Sequence, residues 1–299
     1  MSLKVYINST LKHCILSALS LLLVFILFLF LKNNEKSLLS AGAQRTSAEC
    51  YRVPIIMYHS LMKNKKSLGK FIISPNEFES DLKYLKDNGY TTIFMKDLID
   101  YVYENKDLPE KPIILTFDDG YYNNYLYAFP LLKEYESRVV LSPIGIEVDK
   151  FSEENDANPN YSHASWENLK EMVDSGFVEI QNHSYNMHKV SRKRKGTKKN
   201  RRESLESYKK AFMEDVNIFQ KEAQEHLNII PTTFVFPFGA VSLCCNDILK
   251  ELGFLATLGC ENKINAISKD PDCLYNLCRF LRPSGISSTN FFTKKVKLT

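Results

Sequence analysis

The sequence predicts an α/β fold of barrel type, carried behind one apolar span near the N-terminus. Three observations predict it. From about residue 51 onward, short runs of β-branched and aromatic residues alternate with amphipathic stretches. The glycine fingerprint of a dinucleotide-binding fold is absent. Polar residues of chemical interest recur just after the strands, at His59, Asp118-Asp119, His183, Phe238-Gly239 and Arg282. In parallel α/β folds, and in barrels above all, that end of the strands carries the site.

The elements follow in order. Val53 to Tyr58 reads as a strand ending at His59-Ser60. Ser74-Pro75-Asn76-Glu77 opens a helix, with Ser as N-cap, Pro in the first turn and Glu closing a capping box. Phe78, Leu82 and Leu85 recur at helical spacing, and Gly89 ends the helix. Thr91 to Phe94 is a short strand and Asp97 to Tyr103 a helix. Ile113 to Phe117 is a buried strand that ends in two adjacent carboxylates and Gly120. Asn123 to Tyr135 reads as helical with a kink at Pro130, and Val139 to Ile144 as a strand. Ser165 caps a helix running to about Asp174, and Val178 to Gln181 is the strand before His183. Glu203 to His226 is a long amphipathic helix. Thr233 to Phe236 is a strand, Asp247 to Leu252 a helix, Leu255 to Leu258 a strand, and a last strand falls near Arg279 to Leu281.

Of the 299 residues 44% are hydrophobic, enough for one sizeable core, and the net charge of +4 gives no strong field arguing for nucleic acid. Cys14 to Leu31 is apolar except for Ser17 and Ser20. At the rise of an α-helix it spans roughly 27 Å, near the thickness of a bilayer core. Lys4 and Lys12 precede it, which favours a cytoplasmic N-terminus. Ala41-Gly42-Ala43 resembles a signal-peptidase site but lies well beyond the run, so an uncleaved signal anchor is expected rather than a cleaved signal peptide. The expected organisation is a cytoplasmic tip and single membrane span over 1–32, a polar stalk over 33–50 and a catalytic domain over 51–299, outside the cytoplasm. Six cysteines lie beyond the span and export permits disulfides, but the sequence fixes no pairing. Oligomeric state stays open. Lys189 to Arg202 holds nine Lys or Arg and no acid, either an exposed basic loop or a contact for anionic wall polymers or membrane phosphates.

Successive side chains on a strand point to opposite faces. Asp118 and Asp119 can therefore serve one site only if the strand has ended and the backbone is turning, a turn that Gly120 permits. His183 and His188 lie five apart, roughly 140° around a helix, so a helical zinc pair is excluded and a turn must bring them together. Two neutral imidazoles and one carboxylate make an open three-ligand set for Zn²⁺ or a similar ion, and a second carboxylate beside it can accept a proton from water.

These residues resemble the polysaccharide deacetylases of carbohydrate esterase family 4, with the NodB-homology fold, from about Arg52 to Phe292. Thr116-Phe117-Asp118-Asp119-Gly120 is similar to the first motif of that family, and His183-Ser184 with His188 to its second, with one extra residue between the histidines. Pro54 to Ser60 and Phe234 to Gly239 are similar to the poly-N-acetylglucosamine deacetylase branch. The resemblance implies a distorted (β/α)7-type barrel and a divalent metal ion, Zn²⁺ or else Co²⁺ or Ni²⁺. It implies Asp119, His183 and His188 as metal ligands, Asp118 as general base, His59 as general acid, and a backbone N–H near Tyr121 on the oxyanion. It implies N-deacetylation of an acetylated polysaccharide with release of acetate. The Arg-x-Pro-Tyr and late Leu-x-His motifs of many members are absent, and no histidine follows His226. The acid therefore falls to His59, and Arg279 or Arg282 is left to orient Asp118. Tyr58, Tyr121, Trp166, Pro237, Phe238 and Arg282 are candidate substrate contacts, with core packing the alternative for the aromatic ones. The rival functions are a glycan-binding barrel that has lost turnover, and Fe(II) oxygen chemistry on the same three ligands.

Overall fold

The computed structural model describes residues 50–192 and 194–298. The expected cytoplasmic tip and membrane span over 1–32, and residues 33–49 of the stalk expected over 33–50, lie outside the described residues. Among the described residues no helix is long and apolar enough to cross a membrane.

Seven parallel strands form a ring: β1 (Ile55–Tyr58), β2 (Pro112–Asp119), β3 (Val139–Pro143), β4 (Val178–Ile180), β5 (Thr233–Val235), β6 (Ala256–Leu258) and β7 (Phe280–Leu281). The ladder runs continuously in the order β7, β1, β2, β3, β4. β5 and β6 form a parallel pair of their own. Two single bridges close the ring: Asn182 with Phe234 joins the chain after β4 to β5, and Leu258 with Leu277 joins β6 to the approach to β7. Full ladders on one arc and single bridges at two seams make the expected barrel a distorted one. All eight residues of β2 are buried, as in a barrel strand covered on both faces.

Helices cover the outside: α1 (Pro75–Asp87), α2 (Met95–Glu104), α3 (Phe129–Glu134), α4 (Gly145–Glu154), α5 (Trp166–Asp174), α6 (Leu205–Leu227) and α7 (Cys245–Glu251). At α1 the Ser74 hydroxyl accepts from the Glu77 N–H and the Glu77 carboxylate accepts from the Ser74 N–H, the capping box the sequence predicts. The helix expected over Asn123 to Tyr135 is divided. Asn124–Ala128 forms a wide π-type turn, and α3 begins beyond it with Pro130 in its first turn, where a missing N–H costs least. Two elements carry no local signal: α4, which lacks a side-chain cap, and the antiparallel pair Tyr51–Val53 with Asn265–Ile267. The six cysteines among the described residues are unbridged.

Tyr58 and Arg282, expected to touch substrate, are instead structural. Arg282 is fully buried and donates from Nε and Nη2 to Asp81 of α1 at 2.8 and 3.1 Å. The Tyr58 hydroxyl donates to the same carboxylate at 3.1 Å, while its ring stacks on Phe117. This cluster ties α1 to β1 and to the chain leaving β7. Arg282→Met leaves the Asp81 carboxylate buried without its cation and is expected to cost about 3–5 kcal/mol of unfolding free energy in denaturant titration. A loss below about 1 kcal/mol would show that the pair is not structural.

Candidate metal and catalytic site

The site is built on the left-handed backbone of two consecutive residues. β2 does not stop before its carboxylates: Asp118 pairs with Ser142 and Asp119 with Pro143. The turn occurs at Asp119 itself, with φ of 71°, followed by Gly120 at 75°. Asp tolerates this region better than most residues, and Gly120 is required twice over, because a Cβ there would lie 2.5 Å from the Pro143 Cβ. The reversal breaks strand alternation, so both carboxylates line one cleft of about 760 Å³.

Asp119 faces the two imidazoles. Its Oδ1 lies 3.6 Å from His183 Nε2 and 3.3 Å from His188 Nε2, and it is buried without a hydrogen-bond partner. One ligand atom from each of the three residues falls within 4.8 Å of the others. The Nδ1–H of His183 donates to the Val235 carbonyl at 2.8 Å, which leaves the Nε2 lone pair for the site. Burial, then the neighbouring His183, pushes His188 down to about 4, so its imidazole is neutral at ordinary pH. Burial alone would raise the Asp119 carboxyl, but the adjacent His183 ring, whose own pKa the two carboxylates raise despite burial, holds it far below the usual carboxylate range. Two imidazole nitrogens and one ionised carboxylate, whose buried Oδ1 has no hydrogen-bond partner, are a donor set that fits a divalent ion such as Zn²⁺.

The five-residue spacing works because the chain after β4 turns at Ser184, with φ of 69°. Asp215 of α6 accepts from the Tyr185 and Asn186 N–H groups at 2.9 and 2.8 Å, and Asn182 Oδ1 accepts from the Ser184 N–H at 2.8 Å. The two rings stand 4.9 Å apart, and His188 packs on Phe238 at 4.3 Å.

Asp118 is held differently. Arg279, fully buried, grips both its oxygens at 2.7 and 2.9 Å and also reaches Thr116 Oγ1 and the Gly259 carbonyl. Burial favours the neutral acid, but the Arg279 charge, followed by His183 and His59, outweighs it and keeps the carboxyl below its usual range. His59 Nε2 stands 4.0 Å from Asp118 Oδ2, with its ring edge against Phe71. Burial lowers the His59 pKa despite that carboxylate.

Tyr121 and Phe238 line the cleft as expected, whereas Trp166 and Pro237 do not. Trp166 is buried, stacks on His226 and donates its indole N–H to Asp149, which also accepts the Tyr185 hydroxyl. Pro237 is buried beneath Gly196, where a Cβ would meet its carbonyl at 2.7 Å. Of the two arginines left open for Asp118, Arg279 holds it and Arg282 does not. Sequence reasoning missed His163, whose Nδ1 lies 2.9 Å from the Asp119 carbonyl and whose ring packs on Tyr121. It also missed Asp215, although an acid among the buried Tyr208, Phe212, Val216 and Phe219 of α6 was a visible signal.

A parallel barrel with a two-His-one-Asp set and a second, Arg-held Asp at its strand ends defines a hydrolase-like site. Comparison with known proteins narrows the class. Residues 105–257 match the polysaccharide deacetylase family, and the chain belongs to it. The Bacillus subtilis (strain 168) polysaccharide deacetylase YxkH is 33% identical over 133 residues, 44% of this chain and 42% of that one. The poly-beta-1,6-N-acetyl-D-glucosamine N-deacetylase of Escherichia coli (strain K12) is 25% identical over 219 residues, 67% of this chain and 32% of that one. The chain thus matches less than half the length of either relative. The structure of a de-N-acetylase from Aggregatibacter actinomycetemcomitans superposes with a TM-score of 0.69 at 29% identity, covering 81% of this chain and 100% of the other.

Arg279→Gln removes the charge that keeps Asp118 ionised. Its carboxyl then binds a proton at higher pH, so the acidic limb of the pH–activity profile is expected to move upward, with activity lost sooner on acidification. An unmoved limb in a pH-resolved acetate-release assay would show that Arg279 does not set the state of Asp118.

Proposed function

We propose that this chain is a metal-dependent hydrolase that removes N-acetyl groups from N-acetylglucosamine units of a polysaccharide outside the cytoplasm, releasing acetate. The observation that carries this is the division of labour between adjacent carboxylates: Asp119 aims an unpartnered oxygen at two imidazoles, while Asp118 is held ionised by Arg279. Family membership and the poly-N-acetylglucosamine relative support the amide and sugar assignments. Exposure to the outside rests on the apolar run and the lysines before it.

Asp119, His183 and His188 would hold the ion, with Zn²⁺ the first choice and Co²⁺ or Ni²⁺ alternatives. When bound, it supplies Lewis acidity toward the acetamide carbonyl and lowers the pKa of water. Asp118 takes the proton of the attacking water. Arg279 fixes the direction of that carboxylate and is itself locked to Gly259, so the base does not turn away. The Tyr121–His163 bridge pairs the Tyr122 N–H with Ser162 and the Gly120 carbonyl with the Ala164 N–H. The Tyr121 N–H is left outside that pairing, available to the oxyanion that forms at the amide carbon.

An amide nitrogen departs poorly unless protonated, and His59 beside Asp118 is placed to deliver the proton. Because burial keeps His59 neutral at rest, the proton that Asp118 collects passes to the imidazole and then to the amine. The balance is one water and one acetamide in, one ammonium and one acetate out. Tyr121 and Phe238 line the cleft and offer their rings to the sugar.

Asp118→Asn is expected to keep the ion, measured by elemental analysis, while acetate release falls by about 10³-fold; retained turnover would remove Asp118 as the base. His188→Ala is expected to lower bound metal, and unchanged stoichiometry would refute its role as ligand. His59→Ala should slow acetate release by roughly 10²–10⁴-fold, and a near-normal rate would take the proton delivery away from it.

A further inference from the structure

Two basic grooves flank the cleft. The first, of about 710 Å³, shares Lys70, Asn262 and Leu281 with the cleft and lies beside β7 and β1. Its rim carries Arg52, Lys70, Lys263, Lys295 and Lys297 and no carboxylate. The second, of about 930 Å³, is lined by the chain that follows β4. It is lined by Lys189, Arg192, Arg194, Arg201 and Arg202, with Glu203 as its one acid. Among the described residues, the only ion pair within either set is Arg194 with Glu203.

One limb of a small hairpin separates the second groove from the cleft. Val190 bridges Lys195, and the Gly196 N–H donates to the Lys189 carbonyl at 2.9 Å. His188 and Lys195 line the cleft, while Lys189 and Gly196 line the groove. The hairpin is pinned in place. Gly196 packs on Pro237, the Tyr208 hydroxyl donates to the Thr197 carbonyl at 2.7 Å, and the Thr197 hydroxyl donates to the Ala240 carbonyl at 3.3 Å. The described cations on either side of Gly196-Thr197 therefore flank a backbone held to the barrel, beside the proposed metal ligands.

Two separate sets of cations thus adjoin one cleft, the first by sharing residues with it and the second through His188-Lys189 and Lys195-Gly196. Inside the cleft Asp118 is paired with Arg279, and Asp119 faces the two imidazoles with which it would hold a cation. Cations clustered beside a cleft raise the local concentration of a polyanion. A neutral acetylated glycan gains nothing from this arrangement. We propose that the substrate is an acetylated glycan carrying regularly spaced anionic groups, carboxylates or phosphodiesters, laid from one groove through the cleft to the other. This rests on the N-deacetylase activity proposed above and goes beyond it in substrate class. Each deacetylation adds an ammonium group, which the same cations repel, so the track also favours release of product.

The test is acetate release by the purified full chain on glycan strands that bear lactyl carboxylates, free or methyl-esterified, with a neutral N-acetylglucosamine oligomer alongside. A second pair, an acetylated glycan with and without glycerol-phosphate substituents, separates carboxylate from phosphodiester. The expected kcat/KM is about tenfold higher for the charged member of at least one pair at low salt. The preference should collapse near 0.5 M salt, where the Debye length is about 4 Å. The charge reversals Arg201→Glu with Arg202→Glu, and Lys263→Glu with Lys295→Glu, should each lower the preference several-fold through KM. Equal kcat/KM within both pairs, with acetate released from all, overturns the polyanion track and leaves the deacetylase standing. No acetate from any substrate overturns the activity itself. A preference insensitive to salt and to both reversals also overturns the track. So does co-sedimentation with phosphatidylglycerol vesicles, lost in the reversals, without any glycan preference, because it assigns the basic surface to a membrane.

Discussion

Everything in the cleft depends on a local backbone constraint: Asp119 and Gly120 both adopt left-handed φ at the end of β2. On a regular strand, one of two adjacent aspartates must face away from the other. Here the reversal sends both into one cleft. Such a conformation costs about 1–3 kcal/mol at a non-glycine residue and persists only where the surroundings over-determine it. The surroundings do so: Pro143 closes the space behind Gly120, and His163 engages the Asp119 carbonyl.

Placing two buried carboxylates side by side would normally push one toward the neutral acid. The fold prevents this by giving each its own counter-charge. Arg279 enters from the foot of β7 and fills the barrel interior below Asp118, so the base is ionised and fixed in direction. Asp119 is left to the imidazoles, which are fixed by Asp215, Asn182 and the Val235 carbonyl. Metal binding and proton transfer are thus assigned by what stands behind each carboxylate, not by the carboxylates themselves. The distorted closure of the ring contributes as well, since the Asn182–Phe234 seam lies directly beside His183.

Much of this was legible in the sequence, and the remainder was hidden for physical reasons. Alternating strands and helices, the Ser74 capping box and the recurrence of polar residues after strands fixed the barrel and the end that carries the site. The spacing of His183 and His188 excluded a helix and required the turn found at Ser184. Sequence could not tell Arg279 from Arg282, because both flank a two-residue strand and only the position of α1 sends Arg282 to Asp81. It overvalued Tyr58, Trp166 and Pro237, since an aromatic or proline next to a motif packs beneath it as readily as it lines the cleft. His163 carried no motif at all; it reaches Asp119 only through the bridge to Tyr121.

The central claim is that an ion held by Asp119, His183 and His188 and a proton taken by Asp118 together hydrolyse an acetamide on a sugar. The most direct measurement is acetate released from an N-acetylglucosamine oligomer by the purified chain, before and after metal is stripped by chelation and then restored with Zn²⁺. Stoichiometric acetate and free amine, abolished by stripping and recovered on restoration, are the predicted result. Turnover that survives complete removal of metal, or no acetate from any acetylated glycan with the site loaded, would contradict the account.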